Sequence, residues 1–393
     1  MTRSSLTRLA LVGSLAPAVL LGVAPAHAAA PGADDVVVYR VGDGSATLGS
    51  TGTAVFLDEF TQAAGQSGPV QTTALPTTVS GTQRRLVASG SATSEGLISR
   101  SADGTGVLLT GYDAALATTG VASTTSAAVN RVVGRLASDG TVDTSTALTD
   151  APTGNNVRSA GAASGALGTT GFVAGGANNL RQVTLGTAGT STAANTDVAN
   201  LRQVLVTDGK TWLSSSSGSV FRIGYLNGTT VTPLPGLPTS TGSPYAFALL
   251  DLQPGIGYAG GTVDTLYVAD DTPGTVTKYL YNGSTWASSG SISIASVRGL
   301  AARATASGVQ VVVTANGSSL QGFTDTTGTG VLTATPVTLA TAPTNQAYRG
   351  VAFAPASASA PTALPELRTV ALLPLAGLGV LLAVGAVRRR RTA

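Results

Sequence analysis

Four arginines open similar β-rich runs: Arg158 in NVRSAG, Arg202 in NLRQVLVTDG, Arg298 in SVRGLAA and Arg349 in AYRGVAFAP. Tyr245 takes the matching place in SPYAFALLD. A guanidinium offers a planar fork of donors, so several converging at one mouth would hold an anionic small ligand. The same recurrence also suits a contact repeated between neighbouring units, each arginine pairing with a carboxylate or carbonyl next door. Asp264, Asp270 and Asp271 form a second grouping. Calcium takes several oxygens from carboxylates and from the backbone carbonyls that Gly-rich turns expose, so a calcium site is one reading and turn capping the other. Asp34-Asp35 and Asp58-Glu59 are weaker versions, and no EF-hand spacing is present. Glycoside hydrolysis needs two carboxylates flanking a sugar, for which Glu59, Glu95 and the aspartates are candidates.

Several chemistries lack their residues. The single histidine, His27, lies in a segment that reads as an export signal, so the processed chain has neither a Ser-His-Asp triad nor a histidine-bearing metal or haem site. Cysteine is absent, which removes disulfide support. No Gly-rich phosphate loop ends in lysine. The net charge of +3 comes from the two ends; residues 29–363 carry 15 basic and 18 acidic side chains, so they are mildly acidic. A nucleic-acid partner recruited by a basic surface is therefore not expected.

The elements that would position these residues are short strands. Fifty glycines, abundant Thr, Ser, Val and Ala, and only 10% charged residues suit strands and tight turns rather than surface helices. Asp-Gly pairs at 103–104, 139–140 and 208–209, with Asn-Gly at 227–228, 282–283 and 316–317, read as hairpin turns. Ser243–Ala295 holds four such runs, one antiparallel unit. From Arg158 the opening strands recur at 44, 43, 53 and 51 residues, through Arg202, Tyr245, Arg298 and Arg349. A period of about 40–50 residues with four strands per period points to an all-β propeller. With GLISRS (96–101) as a further opening strand the count is six blades, seven being possible. YRGVAFAP has no blade after it, so it is expected to pair with VVVYRV (36–41) and AVFLDEF (54–60) and close the ring. NLRQVTLG (179–186) falls off the spacing and reads as a third strand within one blade. Trp212 and Trp286 are expected in the core.

DTLYVADDTPGTVTKY (264–279) resembles the repeat of the six-bladed secreted propellers of the NHL and YVTN kind. Residues 34–355, with SATSEGLISRSADG at 91–104, also resemble a group of uncharacterised exported bacterial β-propellers. Both resemblances imply a fold; neither implies one activity, because propellers host enzymes, adhesins and sensors alike.

The ends read as addressing segments. Arg3 and Arg8, the apolar run 9–23 and Ala26-His27-Ala28 form a signal peptide over 1–28. After the ectodomain (29–355) comes an Ala/Pro/Ser spacer (356–369), a transmembrane helix over 370–387 and a basic cytoplasmic tail (388–393). Leu364-Pro365-Glu366 resembles the first half of a sortase signal, but Leu367-Arg368 replaces its Thr-Gly, so membrane retention is the main expectation and cell-wall attachment the alternative. The chain is thus expected outside the cell as a monomer, presenting a non-enzymatic binding scaffold to a protein, glycan or anionic small ligand. The alternatives are a calcium-assisted hydrolase or lyase acting on extracellular polymers, and a passive envelope protein. No cofactor is required, and calcium remains possible.

Overall fold

The structure is a computed structural model that describes residues 29–177, 179–195, 197–219 and 221–357. The expected signal peptide, transmembrane helix, basic tail and most of the spacer lie outside the described residues. Among the described residues no helix is long and apolar enough to cross a membrane.

The chain is all-β and adopts a propeller arrangement. Four separate four-stranded sheets follow one another: Val157–Ala162 with its successors through Thr192–Ala193, Leu201–Thr207 through Thr230–Pro233, Pro244–Leu250 through Trp286–Ser293, and Val297–Thr305 through Val337–Thr341. The remaining strands join into one ten-stranded sheet. Where six blades are expected, the structure has four separate blades and one larger sheet. Within the larger sheet Val36–Val41 lies between Gly52–Phe60 and the C-terminal strand Ala347–Phe353, antiparallel to both. The ring is closed by polypeptide from both ends, as the sequence implies. Arg181–Thr184 is the third strand of its sheet, matching the reading of NLRQVTLG.

Local sequence accounts for the hairpins. Asp208-Gly209 and Asn316-Gly317 each place two successive residues at positive φ, between 52° and 69°. That is the turn geometry matched to right-twisted strands. With few aromatics available, the interior is built mainly from Val, Leu and Ala, as in the layer formed by Val309, Val311 and Val313 with Tyr267 and Val276. The exception is one aromatic cluster: Trp212 and Trp286, buried as expected, surround Tyr258 together with Tyr225 and Tyr281.

The first strand of each four-stranded sheet is innermost, and neighbouring inner strands are stitched by small polar side chains. Ser159 Oγ donates to the Arg202 carbonyl at 3.0 Å and accepts the Val204 N–H at 2.9 Å. Ser214 Oγ donates to the Tyr245 carbonyl, and Gln203 Oε1 accepts the Phe247 N–H. Thr314 Oγ1 accepts the Gly299 N–H and donates to the Arg349 carbonyl. Leu97 N–H donates to the Arg158 carbonyl. The circuit closes at Gly350, where an added Cβ would stand 2.5 Å from the Gly96 carbonyl oxygen and 2.6 Å from the Ile98 nitrogen.

Because those obstacles are backbone, neither strand can yield without parting the ring. We expect Gly350→Ala to destabilise the fold by about 1–3 kcal/mol, the usual range for overpacking. Chemical denaturation against the unsubstituted chain checks this, and an unchanged midpoint would show that the strands have slack there.

Candidate functional site

The arrangement of parallel inner strands brings their first residues to one mouth of the ring. Arg158, Arg202, Tyr245, Arg298 and Arg349 all gather there, as the repeat implies. Arg202 and Arg298 both stack on Tyr245, their guanidinium carbons 4.0 and 4.8 Å from its ring centre. Such contacts partly replace the water that a buried cation loses. Arg158 is 7% exposed and Arg349 6%. Burial pulls the Arg158 guanidinium down to about 10, helped by the like charge of Arg202. Burial also lowers Arg349.

These arginines hold backbone as well as facing the mouth. Arg349 clamps the segment before the Leu97 strand, donating from Nη1 to the Ala92 carbonyl and from Nη2 to the Gly90 carbonyl, both at 2.8 Å. Arg298 donates to the Thr93 carbonyl at 3.0 Å and pairs with Asp271 at 2.9 Å. Arg158 donates to Asn200 Oδ1 and the Leu201 carbonyl, and Arg202 to Ser216 Oγ. Four nitrogens of the group, Arg158 Nε, Arg202 Nη1, Arg298 Nε and Arg349 Nε, are buried with no partner among the described residues.

The clamped segment, Ser91–Glu95, delivers a residue that the repeat pattern does not reveal as central. Glu95 is 3% exposed. Its Oε1 accepts the Ser89 N–H at 2.8 Å and its Oε2 the Tyr112 hydroxyl at 2.6 Å. Burial raises its pKa from 4.5 to about 7, outweighing those two bonds, a third from the Asn156 side chain and the Arg349 charge. Gly96 turns the chain sharply after it, at φ +83° and tight against Tyr39 and Arg349. Together Thr93, Glu95, Arg298, Thr314, Tyr348 and Arg349 help line a cavity of about 250 Å³. The sequence offers Glu95 as one of several candidate carboxylates, and its position just ahead of an opening strand sets it apart.

The three acids proposed for calcium are not brought together. Asp264 precedes the strand Thr265–Asp270 and Asp270 ends it, a separation of about 17–20 Å along an extended chain. Asp264 is fully buried and accepts the Leu252 and Gln253 N–H groups and the Thr265 hydroxyl. Asp270 caps Ser243 and Thr272, and Asp271 pairs with Arg298. Among the described residues no group of three or more acids, histidines or cysteines is gathered to hold a metal. Of the other acids, Asp58 is paired with Arg40, and Glu59 accepts the Gly32 N–H.

No protein-family model matches the sequence. No curated protein sequence matches it either. Solved structures are similar at low identity. A candidate 6-phosphogluconolactonase of Bacteroides uniformis is 14% identical, with 77% of this chain and 83% of that one covered and a TM-score of 0.41. The periplasmic gluconolactonase of Pseudomonas aeruginosa is 13% identical over 76% of this chain and 82% of its own, with a TM-score of 0.40. The GH74 enzyme of Niastella koreensis is 14% identical, and the match spans 76% of this chain but 47% of the enzyme, with a TM-score of 0.43.

The expectation of a non-enzymatic scaffold is corrected at this point. Those similar structures are named as enzymes, a likeness that assigns no activity to this chain.

The raised carboxyl fixes a pH dependence. The folded state keeps the Glu95 proton up to about pH 7, whereas the unfolded chain loses it near 4.5. Glu95 therefore weakens the fold increasingly from pH 4.5 to 7, reaching about 3 kcal/mol above that window, and the cost disappears below it. Glu95→Gln should remove this component. Its stability relative to the unsubstituted chain should rise by that amount between pH 5 and pH 8 in denaturant titrations; parallel profiles would exclude a raised Glu95.

Proposed function

We propose that the chain is a propeller hydrolase that acts at this mouth on a small anionic ester or lactone, with Glu95 as the proton-transfer group. The observation that carries the reading is the buried Glu95 carboxyl, poised near pH 7, in the wall of an arginine-lined cavity. A general base works best when its pKa lies near the working pH. Hydrogen bonds from Ser89, Tyr112 and Asn156 leave lone-pair capacity on the carboxylate for one water molecule.

In the proposed step Glu95 accepts a proton from that water as its oxygen bonds to the substrate carbonyl carbon. The carbonyl π electrons move onto oxygen, where the Arg298 and Arg349 charges stabilise them. As the intermediate collapses, the bond to the alcohol oxygen breaks and Glu95 returns the proton to that oxygen. The products are a carboxylic acid and an alcohol, or one hydroxy acid when the substrate is a lactone. Arg202, stacked on Tyr245, and the nearby Arg158 would bind a carboxylate or phosphate carried elsewhere on the substrate. A cavity of about 250 Å³ lies at the small end of ligand sites, which favours a monosaccharide-sized substrate over a polymer.

The reading includes six blades, with the ten-stranded sheet counted as two: one from Ala347–Phe353 through Gln71–Ala74, the other from Ser99–Arg100 through Val142–Leu148. It also includes export by the 1–28 signal and retention by the 370–387 segment, which would place the mouth outside the cell.

Hydrolysis of gluconolactones, with and without a phosphate, and of anionic aryl esters tests the proposal. The value of kcat/KM should rise with pH and level off above about 7. Glu95→Gln should lower kcat by 10²–10⁴, while Arg202→Gln should mainly raise KM for the anionic substrates. Full turnover by the folded Glu95→Gln variant would overturn the assignment.

A further inference from the structure

The other half of the central channel carries a second cavity, of about 220 Å³, which the hydrolase reading does not use. The mouth described above is built from the first residues of the inner strands; this cavity is built from the later ones. Its apolar wall includes Phe247, Leu249, Leu300 and Val351. Arg100 and Arg303 also line it. Arg303 is held by Gln310 and Asp34 and lies over the Phe353 ring. Arg100 donates from Nε to the Gly104 carbonyl, and neither of its Nη groups has a partner among the described residues. Burial, with the nearby charge of Arg303, lowers the Arg100 pKa against the opposing pull of Asp103. Two like charges therefore share one end of an apolar recess.

Gln203 supplies an independent observation. It lines the same cavity and is 2% exposed. Its Oε1 is committed to the Phe247 N–H at 2.8 Å, and its amide nitrogen has no partner among the described residues. That nitrogen is not sealed off, so it is a donor open to the cavity. An apolar recess, an unpaired donor within it and a pair of cations at its rim define the complement of one ligand class. The ligand has an anionic head and a compact apolar body, and an acceptor oxygen within reach of the amide.

We infer that this second cavity binds a small amphipathic carboxylate, its head between Arg100 and Arg303 and its hydrocarbon body along the channel wall. Each half of the ligand supplies something the other cannot. The head offsets the repulsion between the guanidiniums, and the body removes apolar wall from water. At about 25 cal/mol per Å² of apolar surface, neither a short anion nor a neutral alcohol should match the acid.

Calorimetric titration of the full chain with octanoate, octanol, acetate and inorganic phosphate is the test. Octanoate should bind saturably, and the other three at least tenfold more weakly. Arg100→Met should raise the octanoate Kd at least tenfold while the melting temperature without ligand stays unchanged. Arg303→Met is the second variant with the same expected effect, should the first fail to fold. Glu95→Gln and Arg202→Gln, at the opposite mouth, should leave octanoate binding intact, so this site and the hydrolytic one can fail separately. No saturable octanoate binding, equal binding of octanol or phosphate, or retained affinity in both folded arginine variants would each overturn the inference.

Discussion

The close approach of the inner strands around the axis is the constraint from which the rest follows. Inner strands of neighbouring sheets do not share a ladder of backbone hydrogen bonds, so each junction needs another join. The sequence supplies hydroxyl and amide side chains that reach one neighbour's carbonyl or N–H, at Ser159, Gln203, Ser214 and Thr314. Where even a methyl group would be too large it supplies glycine, as at Gly350. A chain without cysteine, poor in aromatics and rich in Gly, Ser and Thr is therefore suited to this ring. Its composition answers the demands of the axis more than those of the periphery.

That constraint also concentrates charge. Because every inner strand runs the same way, residues at its start meet their counterparts from other sheets. Arginine at this position in four repeats puts four guanidiniums at one mouth of a domain whose overall balance is mildly acidic. The arrangement holds because each cation has local compensation: carbonyls for Arg158 and Arg349, the Tyr245 ring for Arg202, and Asp271 for Arg298. Compensation is incomplete, as the unpartnered buried nitrogens record. A carboxyl placed beside this ring would ordinarily ionise readily. Glu95 does not, because its desolvation outweighs the arginine field.

Much of the fold was legible because the repeat is tied to backbone geometry. Asp-Gly and Asn-Gly pairs mark turns wherever they occur, and the Arg-centred openings keep a spacing close to one sheet. Closure by Ala347–Phe353 followed from an opening strand with nothing after it. The merging of the N-terminal strands into one ten-stranded sheet was not legible. It depends on a link between Gly52–Phe60 and Val87–Ser89, and sequence alternation says nothing about such pairing. The calcium reading failed to assemble for a similar reason. Asp264 and Asp270 are near in sequence, but an extended strand puts six residues of length between them and backbone N–H groups occupy both. Lys278 shows the opposite case. It sits in a resemblance to a secreted-propeller repeat, and it proves to be a fully buried partner of Asp325 that also gathers the Thr327 hydroxyl and the Gly330 carbonyl.

The arginines show why a structural and a functional role need not compete. A guanidinium has five N–H donors, and holding the Ser91–Glu95 segment occupies only two of those on Arg349. The charge remains at the mouth whichever donors are engaged. The clamp moreover fixes the very segment that presents Glu95, and the tight positive-φ turn at Gly96 sets the direction from which it enters. Recurrence of arginine in four of the repeats suits a structural contact, since a join must recur and a binding site need not. Yet a join that recurs around a ring necessarily converges on its axis, and convergence is what a binding site requires. In the proposed reading the asymmetry comes from the segment in which Glu95 precedes the strand Ser99–Arg100.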